Sequence, residues 1–276
     1  MKSEIIDFEV TTACNASCIM CPRSITRAQG VMEPKLFYDI AGNLLDCSPE
    51  IINFCGYGEP LLNNHIAEYI AFFSKRGIKT TLRTNGSKLT QDRIKQLLDS
   101  GLDIINLSVQ GISRSTYERI MRGLSFITIM RAVESVLKHG STYSIDQRVN
   151  AVRLRENIHE LEQMASFWNK HGIEEFESNP CHSRGGELKN HVYEESQNNS
   201  GSCDIFDRVT YVAWSGDVLS CCQDVLHHKI EIGDMSKENC RVILENKSDV
   251  KNTAEFIGLC NKCDKLVNYD WIAISK

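Results

Sequence analysis

The sequence predicts a parallel α/β sheet, open or closed as a barrel, with a smaller hairpin-bearing unit towards the C-terminal end. Three observations carry this. Apolar β-branched runs alternate with helical patterns through the first two thirds of the chain. Glycines stand where those helices should stop. Near Gly185-Gly186 the alternation yields to a polar stretch and then to a hairpin pattern. At 276 residues there is enough chain for one large core and a small appendage.

The elements follow in order. Strand-like runs occupy 5–11, 51–55, 79–84, 104–109, 144–152 and 174–177. Between them, apolar residues recur at helical spacing over 35–45, 66–75, 91–100, 126–138 and 158–171. Gly77, Gly101 and Gly172 fall just past three of these helices, where a left-handed cap is favoured. Repeated β/α units require right-handed crossovers and a parallel sheet, which puts chemistry at the carboxyl ends of the strands. The stretch 187–201 ends in Asn198-Asn199-Ser200-Gly201 and reads as a linker between units spanning 1–186 and 202–276. Beyond it, Ser215-Gly216-Asp217 separates two alternating runs, as in a hairpin.

Composition narrows the function. A formal charge of −5 and a pI near 5.9 argue against a nucleic-acid partner. No apolar run approaches the ~20 residues of a membrane span, and Met1-Lys2-Ser3-Glu4 leads into a strand pattern without a signal-peptide core. Both place the protein in the cytoplasm. Twelve cysteines are then the unusual feature. A reducing compartment disfavours disulfides, so the thiols point to metal.

Cys14, Cys18 and Cys21 are spaced CxxxCxxC on the loop that leaves the first strand. Three thiolates so placed can hold three irons of a [4Fe–4S] cube and leave the fourth open. Structural zinc uses four ligands in two pairs, so a lone triad fits it poorly.

This pattern resembles the radical S-adenosylmethionine (SAM) superfamily. The resemblance implies a partial (β/α)6 TIM-like barrel and a [4Fe–4S] cluster whose open iron chelates SAM. It also implies an electron donor such as flavodoxin or ferredoxin, cleavage of SAM to a 5′-deoxyadenosyl radical, and hydrogen abstraction from an sp3 C–H. Gly56-Tyr57-Gly58-Glu59-Pro60 resembles the family's GGE-type motif: its glycines let backbone approach a ligand, and Glu59 meets the methionine ammonium. Asn85, Ser108, Arg153 and Asn157 follow or end later strands, where the resemblance implies SAM contacts. Met20 stands where the family packs a side chain by the adenine.

Cys203, Cys221, Cys260 and Cys263 form a second set whose spacing alone fits either a second [4Fe–4S] cluster or zinc. Together with Gly216-Asp217-Val218-Leu219-Ser220 and Ile232-Gly233-Asp234-Met235, they resemble the truncated "twitch" form of the SPASM extension, a β-hairpin plus helix. That implies one auxiliary [4Fe–4S] cluster. The layout, including Arg184-Gly185-Gly186 after the sixth strand, is similar to radical SAM aminoglycoside dehydrogenases of the butirosin type.

Of the other cysteines, Cys47 and Cys240 read as structural and Cys55 as a packing residue. Cys222 directly follows an implied ligand, as in radical SAM peptide epimerases, which implies a thiol that returns hydrogen to a substrate radical; Cys181 is a second candidate. Such return is downhill, because an S–H bond is weaker than the C–H bond first broken. Dehydrogenation is the competing reading, with His182, Arg184 and Asp224 as polar candidates for the proton step. With the triad so near Met1, no amino-terminal peptide-recognition domain is expected, and the mild acidity tolerates a cationic substrate. The expected substrate is a small polar molecule of the sugar or aminoglycoside type; a ribosomally made peptide is the alternative.

Overall fold

Ile6, Phe8, Ile52, Phe54 and Leu82 alternate with Asp7, Asn53, Thr81 and Arg83 along three strands, so one face of a sheet must be apolar and the other polar. The computed structural model builds this. It describes residues 4–25, 29–182, 203–222, 224, 230–261 and 263. Six parallel strands stand in order: β1 (Ile5–Phe8), β2 (Ile51–Phe54), β3 (Lys79–Thr84), β4 (Ile104–Ser108), β5 (Asp146–Arg153) and β6 (Glu175–Pro180). Their crossovers carry α1 (Pro34–Leu45), α2 (Ile66–Ser74), α3 (Gln91–Asp99), α4 (Arg114–Ile120), α5 (Phe126–Tyr143) and α6 (Ile158–Lys170). Among the described residues no helix is long and apolar enough to cross a membrane.

The apolar face is covered by the helices. Phe37 of α1 stacks on Tyr69 of α2 with ring centroids 3.7 Å apart and also packs against Phe8 and Phe73. Gly77, Gly101 and Gly172 take positive φ beyond α2, α3 and α6, the caps the sequence signals. α5 and β6 run on to Tyr143 and Pro180, past the expected 138 and 177, and β1 and α4 also depart from the sequence reading. β1 ends at Phe8 rather than at Thr11, because Thr11 leaves the sheet to bridge Val31. α4 is not visible in the hydrophobic pattern; it is seven residues long and starts on a Ser113 cap that accepts from Thr116 N–H.

The C-terminal part is α7 (Asp204–Arg208), β7 (Val209–Val212), β8 (Asp217–Leu219), β9 (Glu231–Asp234), α8 (Cys240–Val250) and α9 (Ala254–Cys260). β7 pairs parallel with β1, Ile5 opposite Val209, and β8 and β9 follow antiparallel. One nine-stranded sheet, β6-β5-β4-β3-β2-β1-β7-β8-β9, therefore runs through both units. The expected linker, 187–201, lies outside the described residues, as do Arg184, Gly185 and Gly186.

α8 is anchored to α1. The Asn43 side chain donates to the Met235 and Glu238 carbonyls at 2.8 and 2.6 Å and accepts from Cys240 N–H at 2.9 Å. The same junction joins Cys47 and Cys240 in a disulfide, Cα atoms 6.1 Å apart. This corrects the expectation that the thiols would stay unpaired: the docking of α8 brings together two cysteines 193 residues apart.

Candidate active site

The loop leaving β1 carries Cys14, Cys18 and Cys21, and α4 holds it. Ser17 N–H donates to Arg122 O at 2.8 Å and Ile19 N–H to Ile120 O at 3.0 Å, while Cys18 Sγ lies 3.3 Å from Met121 Sδ. Burial raises the Cys14 thiol; burial, then Cys21 and Cys14, pushes Cys18 up to about 12. Tyr117 of α4 is fully buried, its hydroxyl finds no partner among the described residues, and burial followed by the Cys18 charge raises it further. Three crowded thiols and an unused hydroxyl fit a cationic cluster core that takes up thiolate charge.

The motif after β2 packs on the root of this loop. A Cβ at Gly58 would lie 2.1 Å from Thr11 O, and Glu59 N–H donates to Ala13 O at 2.8 Å. Gly56 has φ +146°, and a Cβ there would meet Glu9 at 2.6 Å. The glycines thus serve the contact between two loops of the chain. Glu59 is buried, which raises its carboxyl despite three donors: Thr84 Oγ1 and Leu61 N–H on Oε1, and Asn85 N–H on Oε2. A carboxylate has further lone pairs, so an ammonium remains chemically compatible. Asn85 is tied to Asn15 at 3.1 Å and to Ser87.

The remaining sequence candidates separate. Asn157 is fully buried; its Oδ1 accepts from Leu154 N–H, and its Nδ2 donates to Gln110 O and Val152 O. These three bonds shape the loop after β5. Ser108 donates to Asn150 Oδ1 at 3.1 Å on the polar face. Arg153 closes β5, half-buried.

At the carboxyl ends of β1, β2, β5 and β6 lies a cavity of about 180 Å³. Met20, Cys55, Gly56, Tyr57, His182 and Cys222 line it, with Asp7, Asn53, Arg83 and Asn150 as its polar floor. Register makes that floor: Asp7 stands opposite Asn53, Asn53 opposite Thr81, and Ser108 opposite Asn150. Asn53 Nδ2 donates to Asp7 Oδ1 at 2.8 Å, and Arg83 Nε has no hydrogen-bond partner among the described residues. Cys181 also borders the cavity, whereas Asp224 is buried outside its lining and accepts from Ser220. Cys55, read from sequence as packing, faces this space instead. Burial first, then the Asp7 charge, holds its thiol well above the ordinary range. The floor residues went unread because only the pairing of distant strands brings them together.

In the second cysteine set, Cys203 packs against Val209 of β7. Cys203 and Cys260 pack on Phe206 and Phe256, whose rings are 4.4 Å apart. Burial, then Cys263 and Cys203, pushes Cys260 up to about 11. Among the described residues no three Cys, His or carboxylate side chains converge to ligate one ion. The ligands of a cube each bind a different iron and need not converge.

A loop of three thiols at the exit of β1, a glycine–glutamate turn at the exit of β2, and a polar cavity beside both define a radical-chemistry barrel. The chain belongs to the radical SAM superfamily, whose profile matches residues 8–167. It is 26% identical over 178 residues to the AdoMet-dependent heme synthase of Nitratidesulfovibrio vulgaris, covering 61% of this chain and 46% of that protein. The chain spans about half the length of the curated relatives it matches. BtrN in complex with AdoMet and 2-DOIA superposes with a TM-score of 0.63 at 19% identity, covering 96% of this chain and 94% of that one. Streptococcus suis SuiB bound to its precursor peptide SuiA gives 0.65 at 16%, covering 93% and 66%. At these identities the likeness is one of fold.

Proposed function

We propose that this protein is a radical SAM epimerase acting on a small polar substrate of the sugar or aminoglycoside type, with Cys222 as the hydrogen donor. Cys14, Cys18 and Cys21 would hold the SAM-binding [4Fe–4S] cluster, with Met20, Glu59 and Arg153 around SAM. Cys203, Cys221, Cys260 and Cys263 would hold an auxiliary [4Fe–4S] cluster. When bound and reduced, the first cluster and SAM supply a radical that removes hydrogen from a substrate C–H.

The observation that carries the reading is that Cys222, next to Cys221, lines the same cavity as Met20. Its half-buried thiol would give hydrogen to the substrate carbon: S–H breaks, C–H forms, and the sulfur radical takes one electron from the reductant and one proton from solvent. Asp7, Asn53, Arg83 and Asn150 supply donors and acceptors suited to hydroxyl and amino groups.

Dehydrogenation is the second reading, supported by the fold shared with BtrN and by His182 on the cavity wall. In it the substrate radical loses a proton to a base and an electron to the auxiliary cluster. Anaerobic turnover in D2O with SAM, reductant and a panel of aminoglycosides and sugars separates the two. A product heavier by about one mass unit supports epimerisation through an exchangeable thiol. A product lighter by about two overturns it in favour of oxidation.

A further inference from the structure

Lysines in amphipathic helices normally point to water. Lys247 of α8 does not: its relative exposure is 0%. Its Nζ donates to the Val209 carbonyl and lies 3.4 Å from Thr210 Oγ1 and 5.1 Å above the Phe206 ring. These partners are all neutral. Among the described residues no carboxylate lies within ion-pair distance of it: Asp207 is paired with Lys251 at 3.0 Å, and Asp7 is bonded by Asn53. Burying an ammonium without a countercharge costs several kcal/mol, so an anion is expected near it.

The surroundings name that anion. Phe206, under the ammonium, also packs against Cys203, with Cys260 in the same cluster. Burial draws Lys247 down to about 8, and the strongest opposing charge is Cys221, followed by Asp207 and Cys203. Four thiolates around a [4Fe–4S] core make a dianion, and reduction makes it a trianion. A fixed cation stabilises the reduced form more, which raises the reduction potential.

We propose that Lys247 is the countercharge of the auxiliary cluster and holds that cluster's reduction potential up. The inference rests on the auxiliary-cluster reading above. In the epimerase it would keep an electron at hand to restore the Cys222 thiol after hydrogen transfer. Lys247 acts through the cluster and is a positioning residue, not a catalytic one.

The test is an anaerobic redox titration followed by electron paramagnetic resonance, with iron counted in each sample. The wild-type chain is compared with Lys247→Met, Lys247→Gln and Lys247→Arg. The expected result is a shift of the auxiliary signal to more negative potential in Lys247→Met and Lys247→Gln. The SAM-binding cluster should keep its midpoint, and Lys247→Arg should stay near wild type. Loss of the auxiliary iron in both neutral variants but not in Lys247→Arg also supports the inference. Unchanged midpoints at full iron content overturn it, as does iron loss in all three variants; both leave the auxiliary cluster standing. Wild-type protein with about four irons instead of about eight overturns the auxiliary-cluster reading itself.

Discussion

The hydroxyl of Tyr57 donates a 3.1 Å hydrogen bond to the backbone carbonyl of Cys222. One residue belongs to the glycine–glutamate turn after β2, the other to the turn after β8. The bond fixes the height of Cys222 over the cavity floor from the barrel side.

Tyr57→Phe removes that bond while keeping the ring. A cost of about 1 kcal/mol is expected, read as a drop of roughly 2–4 °C in the anaerobic unfolding midpoint. The yield of product per deoxyadenosine should fall as well, because Cys222 loses its tether.

Cys222→Ser tests the donor itself. The hydroxyl bond is too strong to give up hydrogen to a carbon radical. Deoxyadenosine should still form while epimerised product disappears, as measured by chromatography of both. Full turnover in the variant would end the assignment.

Cluster occupancy can be counted. Reconstituted wild type should hold about eight irons; Cys14→Ala and Cys260→Ala should each hold about four. Only Cys14→Ala should lose SAM cleavage outright.

Asn157→Ala distinguishes a loop residue from a ligand contact. It deletes three hydrogen bonds in a fully buried site, and a loss of about 2–3 kcal/mol in unfolding free energy is expected. SAM affinity of the folded fraction should hold if the residue serves the loop alone; a fall of tenfold or more would support the ligand contact suggested by the sequence.

Glu160 gives the pH dependence. Burial opposes its charge, but hydrogen bonds from Ser113, Thr116 and the N–H groups of Ile112 and Ser113 prevail and depress its carboxyl. A depressed carboxyl stabilises the fold above its unfolded value of 4.5, and that contribution is lost as pH falls through the folded value. Glu160→Gln should therefore cost about 1–3 kcal/mol at pH 7. The gap to wild type should narrow below pH 4.5 in paired thermal melts.

The β/α order was legible because helices and parallel strands impose different periods on the chain, and the cysteine triad because its spacing is local. Convergence was not. Asp7, Asn53, Arg83 and Asn150 are ordinary polar residues on four strands, and only register makes them neighbours. Cys47 and Cys240 pair through the docking of α8 on α1, which no spacing rule contains. Lys247 was invisible for the opposite reason: helical periodicity sends a lysine outward, and the packing of α8 against the sheet overrides it.

The parallel pairing of β7 with β1 has a consequence for the chain as a polymer. β1 is an interior strand only while β7 covers it. A fragment ending before residue 203 would leave Ile5–Phe8 with bare amides and carbonyls along an open sheet edge. Such edges recruit further strands, so the isolated barrel should come out of the ribosome as a seed for aggregates.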